Sequence, residues 1–298
     1  METVELCAGG PRLSPIVAGA WRMSEWGWDA QQRLRWIEQC LELGVSSFDH
    51  ADLYGGYTVE ALFGEALALA PPLRRRIQIV SKCAIQLKCD ARPGTRLKHY
   101  DTSAAHITHS VENSLRALGT DHLDLLLIHR PDPLMDADEV AGAFKALHSA
   151  GKVRAFGVSN FSAAQFELLN SRHPLATNQI EWHPLHLEPL TDGTLDQCQR
   201  LRVRPMIWSP LAGGALLSGG GDAAQRVQSA LREIGQALGA SPATIALAWL
   251  LRHPSKPLPI TGSRRIESIR EAVAALGVRL DVQHWTQLWS AATGREVA

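Results

Sequence analysis

Four ionisable side chains lie where short apolar runs of the sequence end. Asp49 closes the run that starts at Ser46, and Tyr54 follows five positions later within FDHADLYGG. Lys82 ends the run IVSK, and His129 ends the run LLLIH. Taken singly, each has an ordinary structural explanation: a helix cap, a core phenol, a lysine reaching solvent, or a hydrogen-bonded core histidine. Because buried lysine and aspartate are rare unless paired, the set favours one shared site.

Together these side chains could transfer a proton. A free tyrosine has a pKa of about 10, which is too high for efficient proton donation near neutrality. An ammonium group stabilises a phenolate, so Lys82 is expected to lower the pKa of Tyr54. Asp49 would pair with Lys82 and hold it in place, and His129 could hydrogen-bond a carbonyl oxygen. The residue types therefore indicate protonation of a carbonyl compound.

The elements that must position these residues are short strands alternating with helices. Apolar runs without polar interruption are typical of parallel strands that are buried on both faces. The runs are 16–19, 46–49, 77–82, 123–129, 155–159, 177–180, 205–208 and 258–261. Such a count predicts a (β/α)8 barrel, although doubly wound sheets share the same local alternation. In a barrel, the carboxyl ends of the strands would meet at one mouth.

Other segments add to the repeat. ELCAGGPRLSP predicts an N-terminal β-hairpin with Gly9-Gly10 at its turn. Helical segments near 242–252 and 281–292 exceed one helix per strand, and the glycine-rich stretch 211–222 is expected to be a mobile loop. No linker or composition break is evident. Residues 1–298 are therefore predicted to form a single domain.

The connection 83–101 is unusually long and is expected to help form the site. Its basic residues are Lys88, Arg92, Arg96 and Lys98. They could favour an acidic or phosphorylated substrate, or they could simply form a solvated face of the loop.

Composition excludes several classes of protein. Thirty basic residues balance thirty acidic ones, so no overall field favours nucleic acid or an anionic membrane as a partner. Five scattered cysteines without a CxxC pair argue against a disulfide framework or zinc site, and no HExxH spacing suggests another metal site. No signal peptide or membrane span is evident, so a cytoplasmic location is expected. The sequence does not indicate an oligomeric state.

The ordered motifs resemble the aldo-keto reductase family. FDHADLYG, IVSK and LLLIHRPD are similar to its motifs, and so are GKVRAFGVSNF, NQIEWHP, WSPLAGG and ITGSRR. They occur in family order over nearly the whole chain. The resemblance implies a (β/α)8 barrel that binds a nicotinamide cofactor, usually NADPH, without a Rossmann domain. It also implies a catalytic tetrad of Asp49, Tyr54, Lys82 and His129.

The resemblance also implies which residues hold the nicotinamide. Ser159, Asn160 and Gln179 match the groups that bond its carboxamide, and such side chains can both donate and accept hydrogen bonds. Trp208 matches the aromatic residue that stacks on the nicotinamide ring. Trp21, in GAWRM, is expected to form a wall of the same pocket.

The remaining cofactor residues are those implied for the phosphates. The loop over the pyrophosphate would comprise Ser209, Leu211, Gly213 and Gly214, where glycine lets backbone amides approach the anion. Ser263 and Arg264 match the segment that holds the 2′-phosphate of NADP, for which arginine offers a planar fork of donors. At Gly262, also assigned to the cofactor site, many relatives carry lysine. This departure weakens the expected preference for NADPH.

Two functions remain open at this stage. The main hypothesis is NADPH-dependent reduction of an aldehyde or ketone to an alcohol, with Tyr54 as general acid. The alternative is a nicotinamide-binding regulatory subunit or redox sensor with little turnover, because the family contains channel-associated members. A barrel hydrolase fits poorly, since neither a metal-ligand set nor a carboxylate pair is evident.

Overall fold

The structure is a computed structural model that describes residues 2–298. Its strands are β1 (Val4–Glu5), β2 (Arg12–Leu13), β3 (Val17–Gly19), β4 (Ser47–Asp49), β5 (Gln78–Cys83), β6 (Ile85–Gln86), β7 (His99–Tyr100), β8 (Leu125–Ile128), β9 (Phe156–Ser159), β10 (Asn178–Glu181), β11 (Met206–Trp208) and β12 (Leu258–Thr261). Eight of them close into a barrel in the order β10-β11-β12-β3-β4-β5-β8-β9, with parallel neighbours throughout. This confirms the predicted (β/α)8 fold and its eight strands.

The predicted N-terminal hairpin is present and closes the bottom of the barrel. Strand β1 pairs antiparallel with β2, and Gly9 in the turn has a φ of +68°. A side chain at Gly10 would place its Cβ 2.4 Å from the Cys7 sulfur, so the Cys7 side chain would have to move. Leu6 and Leu13 are fully buried and join the residues that fill the barrel interior.

A ring of helices surrounds the barrel. The helices are α1 (Ala30–Glu42), α2 (Tyr54–Tyr57), α3 (Val59–Ala68), α4 (Ala104–Leu118), α5 (Ala137–Ser149), α6 (Ala163–Asn170), α7 (Thr194–Leu201), α8 (Ala215–Ser218), α9 (Asp222–Leu238), α10 (Pro242–Leu251), α11 (Ile266–Ala274) and α12 (Val282–Thr293). In residues 2–298 no single helix is long and apolar enough to cross a membrane. The bent pair α9–α10 together has the length and apolar composition of a membrane span, by these two criteria alone.

Apart from the four-residue helices α2 and α8, two helices are additional to the ring, but one is not where the sequence placed it. Helix α10 packs on strand β12 and is the ring helix of its repeat. Helix α9 packs on α10 and α12 instead, so α9 and α12 are the additions. The assignment of 242–252 as an additional helix was therefore wrong, because the packing partner, and not the helical pattern, decides which helix lies in the ring.

Reciprocal hydrogen bonds join α12 to α10. The indole N–H of Trp249 donates to the carbonyl oxygen of Trp285 at 3.0 Å, and the indole N–H of Trp285 donates to the carbonyl of Trp249 at 3.1 Å. Their rings stack with centroids 4.9 Å apart. The last helix of the chain is therefore held by both the polar and the apolar parts of one tryptophan pair.

Two loops at the barrel mouth carry structure of their own. The long connection 83–101 contains the antiparallel pair β6–β7, with Ile85 opposite Tyr100. The glycine-rich stretch expected to be a mobile loop contains a 3₁₀ turn at Ala212–Gly214 followed by α8.

One glycine allows α3 and α4 to approach closely. A Cβ on Gly64 would lie 2.2 Å from the carbonyl oxygen of Ala117 on α4. Gly142 lies in the exposed face of α5, and a Cβ added there would have no neighbouring atom within 4 Å. The two glycines therefore differ in packing although both are helical.

We expect Gly64→Ala to destabilise the protein by about 1–3 kcal/mol, because the helices must separate. Gly142→Ala should stabilise it by about 0.5–1 kcal/mol, because alanine loses less backbone entropy in a helix. Urea unfolding of both variants measures this. Shifts of the same sign in the two variants would contradict the packing argument.

Candidate active site

A buried chain of hydrogen bonds joins three of the four predicted catalytic residues. Lys82, at 1% exposure, donates from Nζ to Asp49 Oδ2 at 2.7 Å and to the Tyr54 hydroxyl at 3.0 Å. A third donor of the ammonium reaches the carbonyl oxygen of His50 at 2.7 Å. All three donors of Lys82 are therefore used, and the ammonium is held in one orientation.

The turn after β4 brings Tyr54 back over the strand end. Its amide donates to the Ala51 carbonyl at 3.1 Å, and Gly55 and Gly56 follow with φ of +59° and +65°. A Cβ at Gly55 would lie 2.6 Å from Ser24 Oγ, so glycine is needed for space as well as conformation. The five-residue spacing therefore brings both Asp49 and Tyr54 within hydrogen-bond distance of the Lys82 ammonium.

Burial changes the acidity expected for Tyr54. Burial raises the pKa of Tyr54 above its usual value, and the nearby charges of Lys82 and Arg130 only partly oppose the rise. Burial alone would lower the pKa of Lys82, but Asp49 and Tyr54 outweigh it and raise that pKa. Lys82 thus lowers the pKa of Tyr54, as expected, but the effect of burial is larger and the net direction is upward.

His129 faces Tyr54 as a neutral ring. Their centroids are 5.9 Å apart in an edge-to-face arrangement. Burial, together with the positive charges of Lys82, Arg130 and Lys98, holds the pKa of His129 well below its usual value. A neutral imidazole can donate one N–H to a carbonyl oxygen without adding charge to the site.

The predicted carboxamide residues form a second chain that runs into the first. The Trp208 indole donates to Asn160 Oδ1 at 2.9 Å, and Asn160 Nδ2 donates to Ser159 Oγ at 2.7 Å. Ser159 in turn donates to the backbone carbonyl of Gln179 at 2.9 Å, and Gln179 Nε2 donates to Asp49 Oδ1 at 2.8 Å. The contact between Gln179 and Asp49 was not expected, because no local pattern predicts a bond between opposite strands.

The two groups of residues occupy opposite halves of the mouth. The tetrad follows β4, β5 and β8, whereas the predicted cofactor residues follow β9, β10, β11 and β12. Trp21 follows β3 between them, is 54% exposed, and lies 6.5 Å from the Tyr54 ring. The strand order therefore places Trp21 between the two groups, with Tyr54 on one side of it.

The predicted phosphate residues are arranged to fit an anionic cofactor. Gly213 and Gly214 have φ of +64° and +107°, backbone conformations that residues other than glycine adopt only with strain. Ser209 and Leu211 lie half-buried in the same loop.

The segment after β12 contains the residues predicted to bind the 2′-phosphate. The Ser263 hydroxyl accepts a hydrogen bond from the amide of Arg265 at 3.1 Å. Within residues 2–298 the exposed guanidinium of Arg264 has no hydrogen-bond partner. A Cβ added at Gly262 would meet only the carbonyl oxygen of Gly19, at 3.7 Å. Guanidinium and backbone donors of this kind suit phosphate groups.

Arg130 is a site residue that was not predicted. Its guanidinium lies 5.5 Å from the centroid of the Trp208 ring, and its charge acts on both Tyr54 and His129. It immediately follows His129 in LLLIHRPD, and this adjacency was the available signal.

A second set of buried carboxyls lies behind the tetrad, between the barrel and helices α3 and α4. Asp52 accepts from Ser110 Oγ at 2.7 Å, and Glu60 accepts from Ser81 Oγ at 2.6 Å. Burial raises the pKa of Asp52 to about 7; the Ser110 bond opposes this rise and the nearby Glu60 adds to it. These residues support the strand that carries Lys82 without facing the mouth.

The fold and the site together define a parallel barrel with a hydrogen-bonded chain of Asp49, Lys82 and Tyr54 at the carboxyl ends of its strands. The family model described as "Aldo/keto reductase family" matches residues 15–292. The chain therefore belongs to the aldo/keto reductase family and is an oxidoreductase.

Relatives and solved structures agree with this assignment. The chain is 53% identical to Oxidoreductase YdhF of Escherichia coli K12 over 300 residues, covering 100% of this chain and 99% of the relative. It is 49% identical to a 6-dehydroglucose reductase of Agrobacterium fabrum over 289 residues, covering 96% of each. The aldo/keto reductase from Klebsiella pneumoniae in complex with NADP and acetate superimposes with a TM-score of 0.77 at 27% identity, covering 96% of this chain and 94% of that one.

We expect Asp52→Asn to stabilise the protein more at pH 8 than at pH 5. The folded state holds the Asp52 proton to about pH 7, whereas an unfolded aspartate loses it near pH 4. The folded state therefore loses stability as pH rises through that window, and asparagine removes the loss. The gain in unfolding free energy should grow by about 2 kcal/mol between the two pH values.

Chemical denaturation at both pH values measures this gain. Asp90→Asn is the matched control, because Asp90 is exposed and its side chain has no hydrogen bond among the described residues. A gain for Asp52→Asn that does not change with pH would show that Asp52 is ionised in the folded protein.

Proposed function

We propose that this protein uses NADPH to reduce an aldehyde or ketone to an alcohol, with Tyr54 as the general acid. The observation that carries the proposal is the Tyr54 hydroxyl at the barrel mouth, held 3.0 Å from the buried ammonium of Lys82. The NADP complex of the similar Klebsiella enzyme supports the choice of cofactor.

Each residue of the tetrad has a separate task in this proposal. Bound NADPH supplies a hydride to the carbonyl carbon. Tyr54 donates its proton to the carbonyl oxygen, and the phenolate left behind is stabilised by Lys82. Asp49 balances the charge of Lys82 and keeps it aimed at the hydroxyl. Neutral His129 orients the carbonyl oxygen by donating a hydrogen bond.

The chain's own groups would also hold the cofactor. Ser159, Asn160 and Gln179 would bind the carboxamide, and Trp208 would stack on the nicotinamide ring. Ser263 and Arg264 would bind the 2′-phosphate that distinguishes NADPH from NADH, since the free guanidinium of Arg264 is exposed at that side of the mouth. The same assignments would serve a nicotinamide-binding regulatory subunit, so turnover separates the two functions.

Tyr54→Phe should lower kcat/KM for carbonyl reduction by about 10²–10⁴-fold, the usual loss when a general acid is removed. Binding of NADPH should stay within a few-fold of the wild type, because the phenol touches the tetrad and not the predicted phosphate site. Loss of nicotinamide absorbance with an aldehyde substrate measures the rate, with NADH run in parallel as cofactor.

Tyr57→Phe is the matched control, because its hydroxyl accepts from the amide of Leu87 at 3.0 Å and lies outside the tetrad. It should keep wild-type activity. Tight NADPH binding by the wild type without turnover on any carbonyl would instead favour the regulatory function.

We further propose that the substrate is a polyhydroxylated aldehyde of the sugar type. A relative at 49% identity is named 6-dehydroglucose reductase. The mouth provides an exposed indole at Trp21 for the apolar face of a sugar, and the charges of Arg130 and Lys98 lie close enough to act on His129. Charged donors beside the carbonyl position suit hydroxyl groups more than a plain aromatic ring.

Arg130→Met should lower kcat/KM for 6-dehydroglucose by about 10- to 100-fold, the value of a lost charged hydrogen bond. The same variant should reduce benzaldehyde nearly as well as the wild type, since that substrate has no hydroxyl for Arg130. Equal losses on both aldehydes would mean that Arg130 acts through Trp208 or Tyr54 and does not recognise the substrate.

A further inference from the structure

The side chain of Gln179 crosses the bore of the barrel to reach the tetrad. Gln179 lies on β10 and Asp49 on β4. In the closed sheet, strands β11, β12 and β3 separate them in one direction, and β9, β8 and β5 separate them in the other. Their strands are diametrically opposite, yet Gln179 Nε2 lies 2.8 Å from Asp49 Oδ1.

This contact completes the hydrogen bonding of a buried carboxylate. Asp49 is 3% exposed, and its other oxygen accepts from Lys82 at 2.7 Å. Without the amide of Gln179, one buried carboxylate oxygen would lose its partner, which is costly. The carboxylate could then rotate to place both oxygens on Lys82 and draw the ammonium from the Tyr54 hydroxyl.

The same amide has groups left for a second partner. Nε2 has two N–H donors and uses one on Asp49, and no other side-chain hydrogen bond of Gln179 exists within residues 2–298. The spare N–H and the amide oxygen of the Gln179 side chain are complementary to a carboxamide. The backbone carbonyl of Gln179 already accepts a hydrogen bond from the Ser159 hydroxyl at 2.9 Å. Gln179 thus contacts the predicted nicotinamide site through its backbone carbonyl and the Asp49–Lys82–Tyr54 chain through its side-chain amide.

We propose that Gln179 is a positioning residue that couples occupancy of the nicotinamide site to the orientation of the Asp49–Lys82–Tyr54 chain. The inference rests on the proposed function for the identity of the cofactor. It assigns to Gln179 a role beyond binding the carboxamide. By donating to one oxygen of Asp49, the neutral amide prevents both carboxylate oxygens from pairing with Lys82, so the ammonium stays hydrogen-bonded to Tyr54. The charged or titratable groups that face the Tyr54 hydroxyl are Lys82, Asp49, His129 and Arg130.

Two variants at Gln179 separate positioning from cofactor binding. At saturating NADPH, Gln179→Leu should slow single-turnover hydride transfer by about 10- to 100-fold at every pH, as expected for a misplaced catalytic group. Gln179→Glu should be slow at pH 8 and recover at least about 10-fold by pH 5, because a protonated carboxyl again donates to Asp49. Asn160→Ala is the control, since it should weaken NADPH binding without changing the pH dependence.

A rate for Gln179→Leu within twofold of the wild type at saturating NADPH would overturn the proposal. So would a Gln179→Glu variant whose rate relative to wild type does not change with pH. Either result would mean that Gln179 contacts the cofactor but does not position the Asp49–Lys82–Tyr54 chain.

A titration that needs no turnover separates this inference from the proposed function. The chain has three tyrosines, so the variant Tyr57→Phe/Tyr100→Phe leaves Tyr54 as the only phenol. Phenolate absorbance then reports its ionisation with and without NADPH. NADPH should shift the midpoint when Gln179 is present and shift it less in Gln179→Leu, as coupling between two sites requires. Equal shifts would overturn the inference even if the enzyme is active, and unequal shifts would support it even if no substrate is reduced.

Discussion

The ion pair between Lys82 and Asp49 is the interaction on which the arrangement of the site depends. Both groups are almost fully buried, with the ammonium 2.7 Å from the carboxylate. Taking two charges out of water is costly, and their attraction repays the cost only when every remaining donor and acceptor is satisfied. The surrounding contacts meet that condition. Tyr54 and the His50 carbonyl accept the other two donors of Lys82, and Gln179 donates to the second oxygen of Asp49. The geometry of the Asp49–Lys82–Tyr54 chain is therefore also the arrangement that makes the buried charges tolerable.

The barrel supplies the convergence that such a pair needs. Parallel strands end at the same rim, so side chains from β4, β5 and β10 meet although they are far apart in sequence. The hairpin leucines close the opposite end, which keeps water from the interior beneath the pair. Glycine at position 55 lets the turn after β4 pack on Ser24, and glycine at position 64 lets helices α3 and α4 approach each other. The environment of the Lys82–Asp49 ion pair at the mouth thus depends on the packing of the hairpin and of the surrounding helices.

Much of the fold and the tetrad could be predicted from the sequence. The strands were recognisable because they are short, apolar and regularly spaced, and the chemistry was recognisable because Asp49, Lys82 and His129 end them. The bond from Gln179 to Asp49 was not, since it depends on strand order around a closed sheet. The lowering effect of Lys82 on the pKa of Tyr54 was predicted, but the larger opposing effect of burial was not, because the sequence reveals a neighbouring charge but not the depth of burial. The helix added to the ring was misplaced because α9 and α10 are both helical, and only packing on β12 distinguishes them.

The stacked indoles of Trp249 and Trp285 have an optical consequence. Two chromophores 4.9 Å apart with planes only 10° from parallel exchange excitation, so their electronic transitions split into a coupled pair. The split exists only while the last helix is seated on α10. Docking of the C-terminal helix therefore contributes a chiroptical signal of its own, which adds to those of the other close tryptophan pairs and requires no added label.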